Sequence, residues 1–155
     1  MKKCLNISEA TIDDIDTIKY IVDTTIKDIY PHYYPKGVVE FFLNHHSVEN
    51  IEKSICNEIV LVFKDEHEII GTSTIHENEI CRLFVLPQYQ GYGYGTKIMD
   101  YLESRIKEKY SEVKLDSSLP AYDLYIKRGY EATNNNKIIT FYDDVLLYSE
   151  MVKKL

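Results

Sequence analysis

One stretch of the sequence combines a strand pattern, a proline and three alternating glycines: Leu83–Thr96, LFVLPQYQGYGYGT. The apolar run at its start is typical of a buried strand, and Pro87 ends that strand because proline has no N–H for a sheet hydrogen bond. The glycines open a helical pattern, and glycine lets the backbone turn tightly and approach a ligand closely. The N–H groups in the first turn of a helix attract anions. The stretch therefore predicts a phosphate-binding loop, with a ligand-free glycine turn as the alternative.

Two other glycine-rich motifs compete for the same loop. Gly91 and Gly93 match the first two glycines of the dinucleotide-binding fingerprint, and Asp116 ends the next strand at about the expected distance. Thr96 stands where the third glycine belongs, and the strand before the loop is predicted to be antiparallel. A dinucleotide-binding oxidoreductase is therefore the weaker interpretation. The spacing and residue order of a Walker A loop are not met either.

The rest of the chain alternates between helix-period and strand-period segments. Apolar residues at three- and four-residue spacing predict helices, and Thr11 and Ser47 are N-cap candidates. The predicted helices are Ile12–Ile29, Gly37–Leu43, Val48–Ile55, Gly93–Lys109 and Ala121–Lys127. The predicted strands are Cys4–Ser8, Ile59–Phe63, Ile69–Ile75, Ile80–Leu86, Glu112–Asp116, Ile138–Phe141 and Leu146–Val152.

These elements predict an α/β (α+β) fold with a central, mostly antiparallel mixed sheet of about seven strands, flanked by four to five helices. The three strands between Ile59 and Leu86 are joined by short turns, which favours an antiparallel meander, and the last two strands form a hairpin. At 155 residues the chain has the length of one domain, 1–155, because two separate cores would each be small.

Composition and charge exclude several classes of partner. The 25 Asp and Glu residues exceed the 18 Lys and Arg residues, and the resulting net charge of -7 opposes binding to nucleic acid or to an anionic membrane. Cys4, Cys56 and Cys81 have no disulfide or zinc-site spacing, so no metal is predicted. No apolar run approaches the roughly 20 residues of a membrane span, and the segment after Lys2 and Lys3 is too short for a signal peptide. We expect a cytoplasmic protein.

Two blocks of the sequence resemble the GCN5-related N-acetyltransferases (GNAT). The acetyl-CoA loop of that family reads Gln/Arg-x-x-Gly-x-Gly/Ala, and Gln90–Gly95 matches every fixed position. Ala121–Tyr130 is similar to the family's second block, A-x-x-L-Y-x-x-x-G-F/Y. Ser118, three residues before Ala121, stands where the family often has asparagine. The resemblance implies a sheet that is splayed at a cofactor cleft, and a transfer of the acetyl group from acetyl-CoA to a primary amine.

The resemblance also implies where the cofactor lies. The main chain of the strand before the loop would bind the pantetheine arm, and the backbone N–H groups of the loop would bind the diphosphate. The cofactor-binding residues implied in this way are Leu83, Phe84, Val85, Gln90, Gly91, Tyr92, Gly93, Tyr94, Gly95 and Thr96. For Leu83 and Val85, core packing of the side chains is the competing interpretation, and both can hold because the implied contacts are made by the main chain.

Tyr125 and Glu79 are the implied catalytic residues. Tyr125 stands where the family has the residue that protonates the departing thiolate, and a phenol can donate to that sulfur. Glu79 lies six residues before Val85, where the histone-modifying branch carries its general base. An alkylamine is mostly protonated at neutral pH, so a base is needed. Each residue has a structural alternative, Tyr125 as a packing residue and Glu79 as a solvated hairpin residue, with His76, Glu77 and Asp116 as weaker candidates for the base.

Two further patterns concern the acceptor side. The pair His45-His46 suggests a metal site, but no third ligand has a recognisable spacing, so the pair is interpreted as the end of a surface helix. The aromatic segment Tyr30–Pro35 joins two helices, and we hypothesise that Tyr30, His32, Tyr33 and Tyr34 bind a cationic amine with their ring faces, a loop anchored by tyrosines being the alternative.

The sequence thus predicts an N-acetyltransferase, with a CoA-binding regulatory module that lacks catalysis as the first alternative. The acceptor is a small-molecule or peptide amine whose identity stays open, because acceptor pockets are built from variable loops. The oligomeric state stays open as well, a homodimer included.

Overall fold

The structure is a computed structural model that describes residues 4–155, and Lys2 and Lys3 lie outside the described residues. In this part of the chain, seven strands form one mixed sheet in the order β1-β2-β3-β4-β5-β7-β6. The strands are β1 (Asn6–Glu9), β2 (Ile59–Lys64), β3 (Ile69–His76), β4 (Glu79–Val85), β5 (Glu112–Ser117), β6 (Glu131–Ile139) and β7 (Val145–Lys154). The helices are α1 (Ile15–Ile29), α2 (Lys36–His45), α3 (Val48–Asn57), α4 (Tyr94–Lys107) and α5 (Tyr122–Lys127). The predicted fold class is confirmed.

Strand pairing follows the predicted pattern. β2, β3 and β4 form an antiparallel meander, and β6 and β7 form an antiparallel hairpin. β4 and β5 are the parallel neighbours in the sheet, and α4 lies between them in the chain. No helix within residues 4–155 is both long enough and apolar enough to cross a bilayer.

The first seven of the nine residues of β6 were missed by the sequence pattern. β6 begins at Glu131 rather than at Ile138, and Phe141, predicted to end the strand, lies beyond it and is 95% exposed. Most side chains between Glu131 and Lys137 are polar and exposed, so they carry no period of burial. Register pairs with β7 define this edge strand, because an edge strand needs main-chain hydrogen bonds from only one neighbour.

One face of the sheet, called the α1 face, is covered by α1, α2 and α3. The buried residues of α1 are Ile15, Ile18, Ile21, Val22, Thr25 and Ile26, which repeat at helical spacing. Ile12, predicted to belong to the same stripe, lies in a preceding turn of 3-10 helix and is 60% exposed. The Thr11 N–H donates to Asp14 Oδ2 at 2.8 Å, which satisfies one N–H at the start of that turn. The N-cap prediction for Ser47 is confirmed, since its Oγ accepts from the Asn50 N–H at 3.2 Å.

The opposite face, called the α4 face, packs mainly against α4. Ile98, Met99, Leu102 and Ile106 are buried there, as predicted. Gly129 follows α5 with φ at +101°, a conformation that L side chains rarely adopt and that ends the helix.

An irregularity in β4 decides which side chains reach the α1 face. The register between β3 and β4 shifts between Thr72 and Thr74, and Arg82 in β4 has φ at +46°. Ile80 and Leu83 pack on the α4 face, whereas the Arg82 side chain contacts His46, which follows α2, on the α1 face. Such a bulge changes the alternation of side chains and often re-aims one of them next to a site.

Candidate active site

The sheet opens between β4 and β5. Their register has two pairs, Glu79 with Lys114 and Ile80 with Leu115, although β4 continues to Val85. On the other side of β4, the Leu86 N–H donates to Ile70 O of β3 at 2.8 Å. Alternate N–H groups of a strand point to opposite neighbours, so the N–H of Val85 points toward the opening. The prediction of a splayed sheet is thereby confirmed.

The glycine loop follows at the end of this opening. Gln90 Nε2 donates to Val85 O at 2.8 Å and ties the loop to the end of β4. Gly91 and Gly93 have φ at +80° and +86°, where L side chains are strained, and Gly93 is the N-cap of α4. Tyr94 is buried and anchors the first turn of the helix in the core. The loop therefore presents the helix N-terminus next to the opening.

Neither the backbone conformation nor protein packing requires a glycine at position 95. It lies in the first turn of α4, and a Cβ added there would meet no heavy atom of the described residues within 4 Å. The same open space surrounds Gly91 and Gly93. The loop thus leaves room for a ligand at the positive end of the helix dipole, which suits a diphosphate.

Tyr125 packs against the α4-face core, close to Tyr30. Its ring packs edge-on against Tyr130 at 5.5 Å between centroids, in the same cluster as Leu83 and Val85. Burial, and after it the nearby Tyr30 hydroxyl, raises the pKa of Tyr125. The phenol therefore keeps its proton at neutral pH. Tyr30 belongs to the α1-face core, so the two hydroxyl groups lie where the cores meet.

Two tyrosines of the aromatic segment are more deeply buried than the cation-binding hypothesis allows. Tyr30 and Tyr34 are 8% and 7% exposed, and their rings pack against Phe42. Their hydroxyls bind the loop after β5: Tyr30 hydrogen-bonds to the Ser118 side chain, and the Tyr34 oxygen accepts from the Leu119 N–H at 2.7 Å. The hypothesis is wrong for Tyr30 and Tyr34, whose rings are buried in the core. His32 and Tyr33 remain exposed.

Glu79 lies in a group of carboxylates at the start of the opening. Burial raises the pKa of Glu79, and the Asp116 charge raises it further, while His76 acts in the opposite direction. The pKa of Asp116 is raised by burial and by Glu150, its register partner on β7. Glu58 contacts His76 Nδ1 at 3.3 Å. Glu79 is therefore a carboxylate poised to accept a proton at higher pH than usual.

His46 is a residue for which the sequence interpretation is wrong. It is 7% exposed rather than at a surface, and its ring stands edge-on to Phe84 at 5.3 Å. Arg82 Nε donates to His46 Nδ1 at 3.1 Å. Burial, with the Arg82 charge second, lowers the pKa of His46 to about 3, so the imidazole is neutral and accepts this bond. No sequence pattern pointed to Arg82.

The predicted site residues fall into two groups around the opening. Tyr125, Leu83 and Val85 pack against the same core, and the glycine loop follows β4, whereas Glu79 lies near Asp116 at the other end of β4. Among residues 4–155 there is no group of three or more His, Cys, Asp or Glu side chains that could hold a metal ion.

Several solved structures share this fold. A GCN5-related N-acetyltransferase from Rhodopseudomonas palustris is 20% identical with a TM-score of 0.90, and the alignment covers 100% of this chain and 99% of that one. The PaiA N-acetyltransferase from Thermoplasma acidophilum, solved in complex with coenzyme A, is 21% identical with a TM-score of 0.77, covering 98% and 99%. The putative acetyltransferase YncA from Salmonella typhimurium, solved with acetyl-CoA, is 13% identical with a TM-score of 0.66, covering 98% and 94%.

No curated protein sequence matches this chain closely enough to count as a relative. The family model for the acetyltransferase (GNAT) domain matches residues 29–155, which is most of the chain and includes the opening, the glycine loop and Tyr125. The chain therefore belongs to the GNAT family of acetyltransferase domains and is an N-acetyltransferase.

Proposed function

We propose that this enzyme transfers the acetyl group of acetyl-CoA directly to a primary amine of a small molecule or peptide. The observation that carries the proposal is the opening between β4 and β5, which leads from Glu79 past the N–H of Val85 to the glycine loop. Two of the structural neighbours hold CoA or acetyl-CoA, which supports the same cofactor here.

The residues present fit this cofactor. The main chain of Leu83, Phe84 and Val85 lies along the opening, where a strand-like pantetheine arm would pair with it. The glycine loop binds the diphosphate through its backbone, in the space that the three glycines leave. The residues of this loop are Gln90, Gly91, Tyr92, Gly93, Tyr94, Gly95 and Thr96.

Acetyl-CoA supplies the acetyl thioester, and the protein supplies the proton transfers and the charge stabilisation. The N–H of Val85 donates to the carbonyl oxygen, which gains negative charge when the amine nitrogen bonds to the carbon. Glu79 accepts a proton from the ammonium form of the acceptor, directly or through water, so that the neutral amine can attack the carbonyl carbon. Tyr125 donates a hydrogen bond to the sulfur as the carbon–sulfur bond breaks and passes its proton to the thiolate, and water reprotonates the phenolate.

The setting follows from charge and composition. We propose a cytoplasmic location, which the scattered cysteines without disulfide spacing favour, and no nucleic-acid or membrane partners, because the net charge of -7 opposes polyanions.

The experiment is a panel of amines assayed by release of the CoA thiol, with Tyr125→Phe beside the native enzyme. We expect that removing the phenolic proton lowers kcat about 100-fold, within the range typical of general acids. Tyr122→Phe is the matched control, since Tyr122 lies on the same helix and packs on the same cluster.

Two results would contradict the proposal. If Tyr125→Phe kept full kcat with every accepted amine, the acid role of Tyr125 would be wrong. If no amine released thiol while CoA still stabilised the protein, the chain would be a CoA-binding module without catalysis.

A further inference from the structure

We propose that Arg82 binds a carboxylate group of the acceptor, so that the substrate is an amine that also carries a carboxylate. This inference rests on the proposed function, because it requires that the acceptor enter the opening beside β4.

The three arginines of the chain differ in their partners. Arg105 pairs with Glu9 at 3.0 Å, and Arg128 pairs with Asp100 and Glu103 at 2.6 and 2.8 Å. Arg82 has no carboxylate within 4 Å among the residues that the structure describes. An arginine in the interior normally pairs with a carboxylate, which is the partner that its planar fork of donors matches best.

The Arg82 side chain is half-buried, and its Nη1 is fully buried without a hydrogen-bond partner in residues 4–155. Burial lowers the pKa of Arg82, and the Glu58 charge acts in the opposite direction. A buried donor without a partner is costly, and native structures keep very few of them. An anion that arrives with the substrate would remove this cost.

A hydrogen bond from the side chain and a strained backbone fix the position of Arg82. His46 accepts from Nε at 3.1 Å, and this bond orients the guanidinium without neutralising its charge. The backbone of Arg82 has φ at +46°, which is strained for a residue with a Cβ. Strain of this kind persists where the surroundings enforce it, and it concentrates at ligand sites.

The location matches an acceptor subsite. Arg82 lies beyond Ile80, the last residue of β4 that pairs with β5, and its side chain points to the α1 face. Glu79 lies three residues earlier, about 10 Å along a strand. An acceptor can therefore place its amine toward Glu79 while its carboxylate reaches Arg82.

The neighbouring charges favour a carboxylate over a phosphate. Glu58 acts on the pKa of both Arg82 and Glu79, and Asp116 also acts on Glu79. A phosphate dianion would be repelled by these acids more strongly than a single carboxylate charge. The planar carboxylate also fits the guanidinium edge.

The test compares matched acceptors that differ only in the carboxylate. The pairs are 5-aminopentanoate with 5-aminopentanamide, for a small molecule, and triglycine with triglycine amide, for a peptide. We expect the native enzyme to prefer the acid of at least one pair by about 30-fold or more in kcat/KM, as is typical of a partly desolvated charge pair. A preference for 5-aminopentanoate over its amide would indicate a small-molecule acceptor. A preference for triglycine over its amide would indicate a peptide.

Arg82→Gln is expected to bring this ratio close to one, and Arg82→Lys to retain part of it because the charge remains. Arg105→Gln, which removes a guanidinium paired with Glu9, is the matched control and should leave the ratio unchanged. A second measurement does not depend on turnover: the CoA-loaded native protein should bind 5-acetamidopentanoate more tightly than its amide, and Arg82→Gln should not.

Three outcomes overturn the inference. Equal kcat/KM for acid and amide in both pairs, with thiol release intact, would disprove the carboxylate subsite and leave the proposed function standing. A preference that survives Arg82→Gln would assign the carboxylate to another residue. Absence of both thiol release and CoA binding would contradict the proposed function itself and the inference with it.

Discussion

At the scale of single residues, the carboxylates at the opening influence one another's protonation. Burial and the Asp116 charge raise the pKa of Glu79, so Glu79 ionises at a higher pH than an isolated glutamate. A general base must be ionised to act. The kcat/KM of the enzyme should therefore rise with pH around the pKa of Glu79, which gives one limb of the pH profile. A second limb, at higher pH, should follow the deprotonation of the amine.

We predict that Asp116→Asn moves the Glu79 limb of the profile to lower pH, because removing a neighbouring negative charge lowers the pKa of Glu79. Glu79→Gln should abolish this limb and lower kcat/KM about 100-fold at neutral pH. The measurement is a pH profile of thiol release, with triglycine as the acceptor because its amine titrates near pH 8. Glu77→Gln, at the exposed turn before β4, is the control. A limb that persists in Glu79→Gln would show that another group is the base.

At the scale of the element, two glycines at the N-terminus of α4 have different roles. Gly93 is needed for its backbone angle of +86°, whereas Gly95 has an ordinary helical position and open space around its missing Cβ. The two glycines therefore fail in different ways when replaced by alanine, which allows folding and ligand binding to be measured separately.

We predict that Gly93→Ala lowers the free energy of unfolding by about 1 to 2 kcal/mol, the cost of a Cβ in the left-handed region. Gly95→Ala should leave stability unchanged or raise it by up to about 1 kcal/mol, because alanine favours the helix. The same methyl group would stand where the diphosphate is proposed to lie, so CoA affinity should fall at least about tenfold. Urea unfolding and calorimetric titration with CoA measure the two effects. Native CoA affinity in Gly95→Ala would place the diphosphate elsewhere.

At the scale of the whole molecule, Glu103 joins α4 to the end of α5 and to β7. Its carboxylate accepts from Arg128 Nε at 2.9 Å, from the Tyr130 hydroxyl at 2.9 Å and from Lys153 Nζ at 3.2 Å. Burial alone would raise the pKa of Glu103, but these hydrogen bonds outweigh it and hold the pKa below its usual value. The network therefore ties the α5 end of the site to the α4-face core.

We predict that Glu103→Gln lowers the free energy of unfolding by about 2 kcal/mol at neutral pH, because partly buried cationic partners lose their counter-charge. A carboxylate with a lowered folded pKa stabilises the fold above its unfolded pKa, and this contribution is lost as the pH falls through the folded pKa. The difference between native and variant proteins should therefore shrink below about pH 4. Urea unfolding at several pH values measures it, with the exposed Glu108→Gln as control. A pH-independent difference would mean that packing, not charge, carries the effect.

Local patterns predicted most of the architecture. The isoleucines of α1, the β-branched runs of β2 to β4 and the glycines before α4 each record a conformation or a buried face within a few residues. Most of β6, residues 131–137, was not predicted, because exposed polar residues pair by main-chain hydrogen bonds that leave no period in the sequence. The prediction of one domain over 1–155 stays a prediction.

The sequence by itself determined most of the elements, the glycine loop and the resemblance that singled out Tyr125 and Glu79, since these depend on residues close together in the chain. The tertiary structure alone decided that His46 is buried against Arg82, that Tyr30 and Tyr34 belong to the core, and that Glu79 shares its charge environment with Asp116. Arg82 and His46 are 36 residues apart in the chain. Contacts at such separations arise only when helices pack on the sheet, and no local period records them.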